Sequence, residues 1–315
     1  MANRKRKGSS SLIFSLLVIV AIILCVLFRA PLYDAITQIT GADVDKDSGR
    51  ADLPVTVVEG EIAVHVIDVG QGDAILITTP GGNMLIDAGD NISKYENALI
   101  SYLDSQNVTE LEYFVATHMH ADHIGGADVI LQRYTVNNVL MTDDVATTGV
   151  YEAMLDVIEQ KNINVVLAAP GDFFMLGDVH CRILAPLGDY SNTNDQSIVI
   201  RATYGNVSML FTGDAEGNEE GESEKDILAR YSPAELQCDF LKVGHHGSNT
   251  SNSPALLRVV SPKIAAISCG EGNKYGHPLQ SVLDSLDALG VTVYRTDLKG
   301  DLVFICDGES IWYQE

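Results

Sequence analysis

Hydrophobic and polar positions divide the chain into three stretches of different character. Leu12 to Phe28 (LIFSLLVIVAIILCVLF) is apolar on every face, with Ser15 its only polar residue. Its 17 residues, at about 1.5 Å each, just span a hydrocarbon core of roughly 30 Å once the small flanking residues are added, so the pattern predicts one transmembrane helix. Residues 31–59 are polar, bear Asp and Gly, and show little periodicity, which reads as a linker. From Glu61 onward, runs of period two alternate with windows of period near 3.6. The first kind predicts strands at Ile62–Val69, Ala74–Thr79, Met84–Asp87, Leu111–Thr117, Val136–Met141, Asn164–Ala168 and His180–Ala185. It predicts more at Ser197–Thr203, Val207–Thr212, Asp239–Val243, Lys263–Ser268, Val291–Tyr294, Leu302–Cys306 and Ser310–Tyr313. Helices are expected at Tyr95–Leu103, Ala127–Arg133, Tyr151–Gln160, Glu224–Tyr231, Pro254–Val260 and Leu279–Leu289. Strands and helices in this order make an α/β domain with large mixed sheets over residues 60–315.

Charge adds a topology to this division. The basic run Arg4-Lys5-Arg6-Lys7 precedes the apolar span, which places residues 1–11 in the cytoplasm, anchors the chain through 12–30 and exports the rest. The rival reading is a signal peptide, whose removal would secrete the domain; Phe28-Arg29-Ala30-Pro31 is a poor small-residue cleavage site. Residues 31–315 carry 15 basic against 43 acidic side chains, a net of −28, which argues against a broad basic footprint for duplex nucleic acid. A nucleic acid held at a cationic metal centre stays compatible with that charge. The five cysteines are far apart with no C-x-x-C, so neither a disulfide framework nor a zinc ribbon emerges.

Candidate chemistry begins where the apolar run LEYFVAT ends, at Thr117-His118-Met119-His120-Ala121-Asp122-His123-Ile124-Gly125-Gly126. Three imidazoles and a carboxylate crowd one strand-to-helix loop, and these are ligands for zinc and manganese. A loop of this kind can present pairs of ligands to two adjacent ions. Gly125 and Gly126 let the backbone turn tightly beneath them.

With that signature after a hydrophobic strand, the sequence resembles the metallo-β-lactamase fold. Asp68-Val69-Gly70-Gln71-Gly72-Asp73-Ala74, Leu85-Ile86-Asp87-Ala88-Gly89, Leu210-Phe211-Thr212-Gly213-Asp214, Leu241-Lys242-Val243-Gly244-His245-His246-Gly247-Ser248 and Tyr275-Gly276-His277-Pro278 follow in order. This set is similar to the metallo-β-lactamase-like domain of the ComEC competence proteins, over roughly residues 62–308 and without their polytopic channel. The resemblance implies an αββα sandwich of two mixed sheets, here preceded by one transmembrane helix. It implies two divalent ions, zinc or manganese. His118 and His120 would bind one, Asp122 and His123 the other, with Asp214 bridging and His245, preferred over His246, as the last ligand. His246 is then left to touch substrate, Asp87 to orient a ligand histidine, and His277 to act as general acid near neutral pH. The further histidine of the wider fold is missing between His123 and His245; only His180 is there, inside an apolar strand, and Asn194-Asp195-Gln196-Ser197 stands at the expected place. The two-histidine ion is therefore expected to be the weaker one.

These readings add up to an exported, membrane-anchored, metal-dependent hydrolase. Its expected substrate is an extracellular phosphodiester, best a single-stranded DNA, because paired cations clamp both the attacking and the leaving oxygen. The alternatives are hydrolysis of another extracellular ester (a phosphorylcholine ester, lactone or lactam) and a non-catalytic binding module.

Overall fold

The period-two runs assemble into two mixed sheets in the computed structural model, which describes residues 54, 55, 57–217 and 221–315. The expected cytoplasmic tail, membrane span and most of the linker (residues 1–53) lie outside the described residues. Among those described, no helix is long and apolar enough to cross a membrane.

In spatial order the first sheet runs β15 (Ile311–Tyr313), β14 (Leu302–Cys306), β1 (Ile62–Val66), β2 (Ile75–Thr79), β3 (Gly82–Ile86), β4 (Glu110–Val115), β5 (Thr135–Met141) and β6 (Asn164–Leu167). The second runs β13 (Thr292–Arg295), β12 (Ile264–Ile267), β11 (Phe240–Lys242), β10 (Val207–Phe211), β9 (Val199–Tyr204), β8 (Val179–Ala185) and β7 (Phe173–Leu176). One topology is used twice. Strands β1, β2 and β3 pair antiparallel, and β3 to β6 pair parallel. Likewise β8, β9 and β10 pair antiparallel, and β10 to β13 pair parallel.

Helices make the parallel crossovers, as that connection requires. In the first half these are α1 (Ser93–Ser105), the short α2 (Ala121–Ile124), α3 (Ala127–Arg133) and α4 (Gly149–Lys161). In the second they are α5 (Ser223–Arg230), α6 (Pro233–Leu236), α7 (Pro254–Val260) and α8 (Gln280–Ala288); α9 (Thr296–Lys299) leads into β14. All six expected helices are present. The sequence reading missed the short α2, α6 and α9 and the strand β7, whose FFML lies between Gly171-Asp172 and the Gly177-Asp178 turn.

Side-chain alternation sorts the strands into layers. Ile75, Ile77, Met84 and Ile86 face Met209, Phe211 and Phe240 of the other sheet, while Leu76 and Leu85 face the opposite way, onto Leu99 and Leu103 of α1. Leu210 and Leu241 likewise turn outward onto Ile227, Leu256, Leu257 and Leu286 of the second helix layer. Two sheets covered by helices on their outer faces form an αββα sandwich. Each fully buried Leu, Ile or Phe contributes roughly 1.5–3 kcal/mol to holding it. The carboxyl ends of the parallel strands open onto one edge, where crevices of α/β sheets bind ligands.

Candidate metal centre

Every residue expected in the site follows one of those strand ends. Asp87 directly follows β3, Thr117 and His118 follow β4, Asp214 follows β10, the histidine pair follows β11 and Ser268 follows β12. Two glycines allow the close approach. A Cβ on Gly125 would lie 2.2 Å from Asn91 N, and one on Gly72 would lie 2.5 Å from the Asp122 carbonyl oxygen. The loop after β1 is thus pressed onto the histidine loop, and Asp73 N–H donates to that same Asp122 carbonyl (3.1 Å).

Asp87 is wholly buried and organises the histidine loop from below. Its carboxylate accepts from Thr117 N–H (2.9 Å) and Thr117 Oγ1 (2.7 Å), and it holds His123 Nδ1 at 2.7 Å. His123 is thereby turned so that Nε2 lies 3.2 Å from Asp214 Oδ2. His118 is fixed through Nδ1 by the Thr117 and Ser197 hydroxyls (3.2 and 3.3 Å), and its Nε2 lies 3.1 Å from His120 Nδ1.

Among the described residues, two sets of potential ligand atoms at this edge lie within 4.8 Å of one another: His118, His123 and Asp214, and Asp122, His123 and His246. A third set below them, Asp73, Asp87 and His123, is already committed to hydrogen bonds and an ion pair. His123 Nε2, His246 Nε2 and Asp214 Oδ1 are buried without a hydrogen-bond partner. Buried polar atoms are normally paired, so unpaired lone-pair donors converging on one point mark a place built for a cation. Imidazole nitrogen with carboxylate oxygen suits zinc, manganese or iron, and the residues present fit such an ion.

The histidine pair departs from expectation. His245 and His246 both adopt left-handed backbone angles (φ 50° and 54°), which turns the second ring inward. His246 is buried, donates from Nδ1 to the Ser268 carbonyl (3.0 Å), and points Nε2 to within 3.5 Å of Asp122 and 3.7 Å of Asp214. His245 lines the cleft with its Nδ1 beside Glu216 Oε1 (3.1 Å), although its Nε2 also comes within 3.7 Å of Asp214. Among the described residues it is His246, not the expected His245, that shares a cluster of potential ligand atoms with Asp122 and His123, while both rings reach Asp214.

Electrostatics bind the cluster together. Burial disfavours a charge on His123, but the Asp214 and Asp87 carboxylates outweigh it and hold its pKa well above the ordinary value. Against the same penalty, Asp214 and Asp73 hold His246 up at about 9. His118 is pushed well below its usual value by burial and by His123, which leaves it neutral with a lone pair to offer. Burial would raise Asp214 and Asp122, but the surrounding imidazoles hold both below the usual carboxylate range.

Beneath His246 lies an element absent from the sequence reading. Lys242 Nζ, 1 % exposed, pairs with Asp73 Oδ2 at 2.8 Å, and Asp73 Oδ1 lies 3.3 Å from His246 Nδ1. Asp195 is spoken for as well: its carboxylate accepts the N–H groups of Glu216, Glu222 and Ser223. Asn194 instead lines the cleft with a buried, unpaired Oδ1, so within Asn194-Asp195-Gln196-Ser197 it is placed to supply an oxygen. The Ser248–Ser251 run is spent on loop contacts, Thr250 donating to Glu216 (2.8 Å) and Ser251 to the Asp214 carbonyl.

His277 lines the same cleft of about 340 Å³. Its ring is half-buried, and burial together with His245 and His246 pushes its pKa down to about 4. An imidazole held there is mostly uncharged at neutral pH and can offer a hydrogen bond to a group in the cleft.

Comparison with known proteins agrees with this fold. The family model described as the Metallo-beta-lactamase superfamily matches residues 67–271. The chain is 31% identical over 268 residues to ComE operon protein 3 of Bacillus subtilis, covering 80% of this chain and 34% of that protein. It is 34% identical over 243 residues to Recombination protein 2 of Haemophilus influenzae, covering 76% and 28%. The chain therefore spans about a third of these relatives' length. Among solved structures, the metallo-beta-lactamase fold protein YhfI from Bacillus subtilis superposes with a TM-score of 0.54 at 14% identity, covering 78% of this chain and 99% of that one. At that identity the likeness is one of fold.

Proposed function

Because the chain belongs to the metallo-beta-lactamase superfamily, we propose that this edge holds two divalent ions and that the protein is a metal-dependent phosphodiesterase cleaving single-stranded DNA outside the cell. The observation that carries the reading is the convergence of unpaired, buried His123 Nε2, His246 Nε2 and Asp214 Oδ1 beneath an open cleft. His118 and His120, with Asp214 and Asn194, would hold one ion; Asp122, His123, His246 and Asp214 would hold the other. When bound, such ions supply Lewis-acid charge that lowers the pKa of water and offsets negative charge on a reacting phosphoryl group.

The chain's own residues do the rest. Asp87 and the Ser268 carbonyl fix the ring orientations of His123 and His246, so each presents Nε2 to the centre. His245 and His277 line the cleft above, where N–H donors can meet substrate oxygens. Support for DNA as the polymer comes from relatives named for competence and recombination. The acidity of the chain favours a single strand over duplex. The apolar span at residues 12–30 supports an anchored, exported placement.

The test is a substrate panel on the full chain in detergent, stripped with chelator and reloaded with Mn²⁺ or Zn²⁺. Single-stranded oligonucleotide, duplex, bis-p-nitrophenyl phosphate, p-nitrophenyl phosphorylcholine and a lactam are compared. Metal-dependent cleavage of the single strand ahead of the others is the expected result. Turnover of the phosphorylcholine ester or the lactam with the oligonucleotides left intact would overturn the reading.

A further inference from the structure

Tyr275 stands at the mouth of the metal cleft with 54 % of its surface exposed. Its ring lies nearly parallel to that of His277, 5.6 Å between centroids at 22°. His277 in turn lies 5.9 Å from His245, so a row of rings leads from solvent to the histidines over the centre. Tyr275 is the only cleft-lining aromatic other than histidine among the described residues.

The backbone that carries this ring is tied down by one side chain. The Asn273 side chain accepts from the backbone N–H groups of Tyr275 (3.2 Å) and His277 (3.0 Å) and donates to the carbonyls of Gly270 (2.9 Å) and His277 (2.6 Å). Gly272 and Gly276 take the left-handed turns on either side of this frame. One aromatic side chain thus stands partly in solvent beside the cleft, packed on the His277 ring.

We propose that Tyr275 and Lys274 form a nucleobase-and-phosphate subsite beside the metal centre, so that the polymer is gripped by stacking. This rests on the phosphodiesterase reading above and names how its substrate is chosen. A flat, uncharged ring on Tyr275 extends the existing row of rings, and every base has a face suited to it. Lys274 Nζ lies over the Tyr275 ring, 4.9 Å from its centroid, and its flexible stem lets it swing off that face to the flanking phosphate when a base stacks there. The same ammonium repels a quaternary ammonium, and a single aromatic wall makes no cage for one, so a choline headgroup is disfavoured. Stacking also suits a chain of net charge −23, because it needs no basic surface.

The test uses two fluorescein-labelled oligomers of equal length and charge, an oligothymidylate and a polymer of abasic sites. Binding to the full chain in detergent is followed by anisotropy in chelator, and cleavage is followed separately with Mn²⁺. The wild type should prefer the base-bearing oligomer by about 5- to 150-fold in binding. Tyr275→Ala should remove most of that preference and Tyr275→Trp should retain it. Equal binding of the two oligomers by the wild type, or a preference that survives Tyr275→Ala, would overturn the subsite. Preference without any cleavage would sink the phosphodiesterase reading alone, and cleavage without preference would sink the subsite alone.

Discussion

Lys242 lies in β11 between Leu241 and Val243, and its ammonium is committed to Asp73, 169 residues away in sequence. A lysine interrupting an apolar strand is a legible oddity, but its partner cannot be read from a chain in which Asp73 looks like a turn residue. Removing one member leaves a buried charge uncompensated, so Lys242→Met should cost about 3–5 kcal/mol in denaturant unfolding, and adding Asp73→Asn should recover part of the loss. A loss below about 1 kcal/mol would mean that Asp73 finds its compensation elsewhere. His277 allows a second check at this scale. An uncharged donor is mimicked by an amide, so His277→Gln should keep most of kcat at pH 7 while His277→Ala loses on the order of 10²-fold. Equal losses in the two variants would restore the proton-donor role.

The turn at residues 244–247 shows why sequence alone does not choose between His245 and His246. Adjacent histidines differ by one residue in sequence, yet here one ring is buried and the other lines the cleft, because two non-glycine residues accept left-handed angles. The angles are enforced from α5 and α7. Glu224 accepts the N–H groups of Asn252 and Ser253, and the Asn252 side chain accepts from Gly244 N–H (2.9 Å) and donates to the Gly244 carbonyl (2.8 Å). Asn252 itself has φ 61°, so Asn252→Gly deletes the clamp without strain. That variant should weaken metal affinity by about 10- to 100-fold in a chelator competition, and unchanged affinity would show that the turn holds itself. Glu224 also gives the element a pH dependence. Burial raises its pKa from 4.5 to about 7. The folded state therefore binds this proton more tightly than the unfolded chain, and the stability it confers below about pH 4.5 is lost as pH rises through 7. Relative to Glu224→Gln, the wild type should lose roughly 3 kcal/mol between those pH values, and parallel curves would contradict the assignment. The missed strand β7 belongs to this scale too. Four apolar residues at a sheet edge, with Phe173 and Met175 exposed and Phe174 and Leu176 on the core, show no polar alternation for a pattern to reveal.

Across the whole molecule, the layer order was legible because buried positions alternate on both sides of nearly every strand, and helical windows fall between the parallel ones. The ligand loop was legible because three histidines and an aspartate are local in sequence. The assembly of strand ends from two halves of the chain, which brings Asp214 and His246 over His123, is a tertiary fact no window contains. That assembly is what makes the edge a metal centre, and calorimetric titration of Mn²⁺ or Zn²⁺ into the chelator-treated full chain tests it most directly. Two sites of unequal affinity are predicted, with Asp214→Ala losing both, His246→Ala losing the tighter one and His245→Ala keeping both. Binding that survives Asp214→Ala, or that disappears with His245 and persists without His246, would contradict the account.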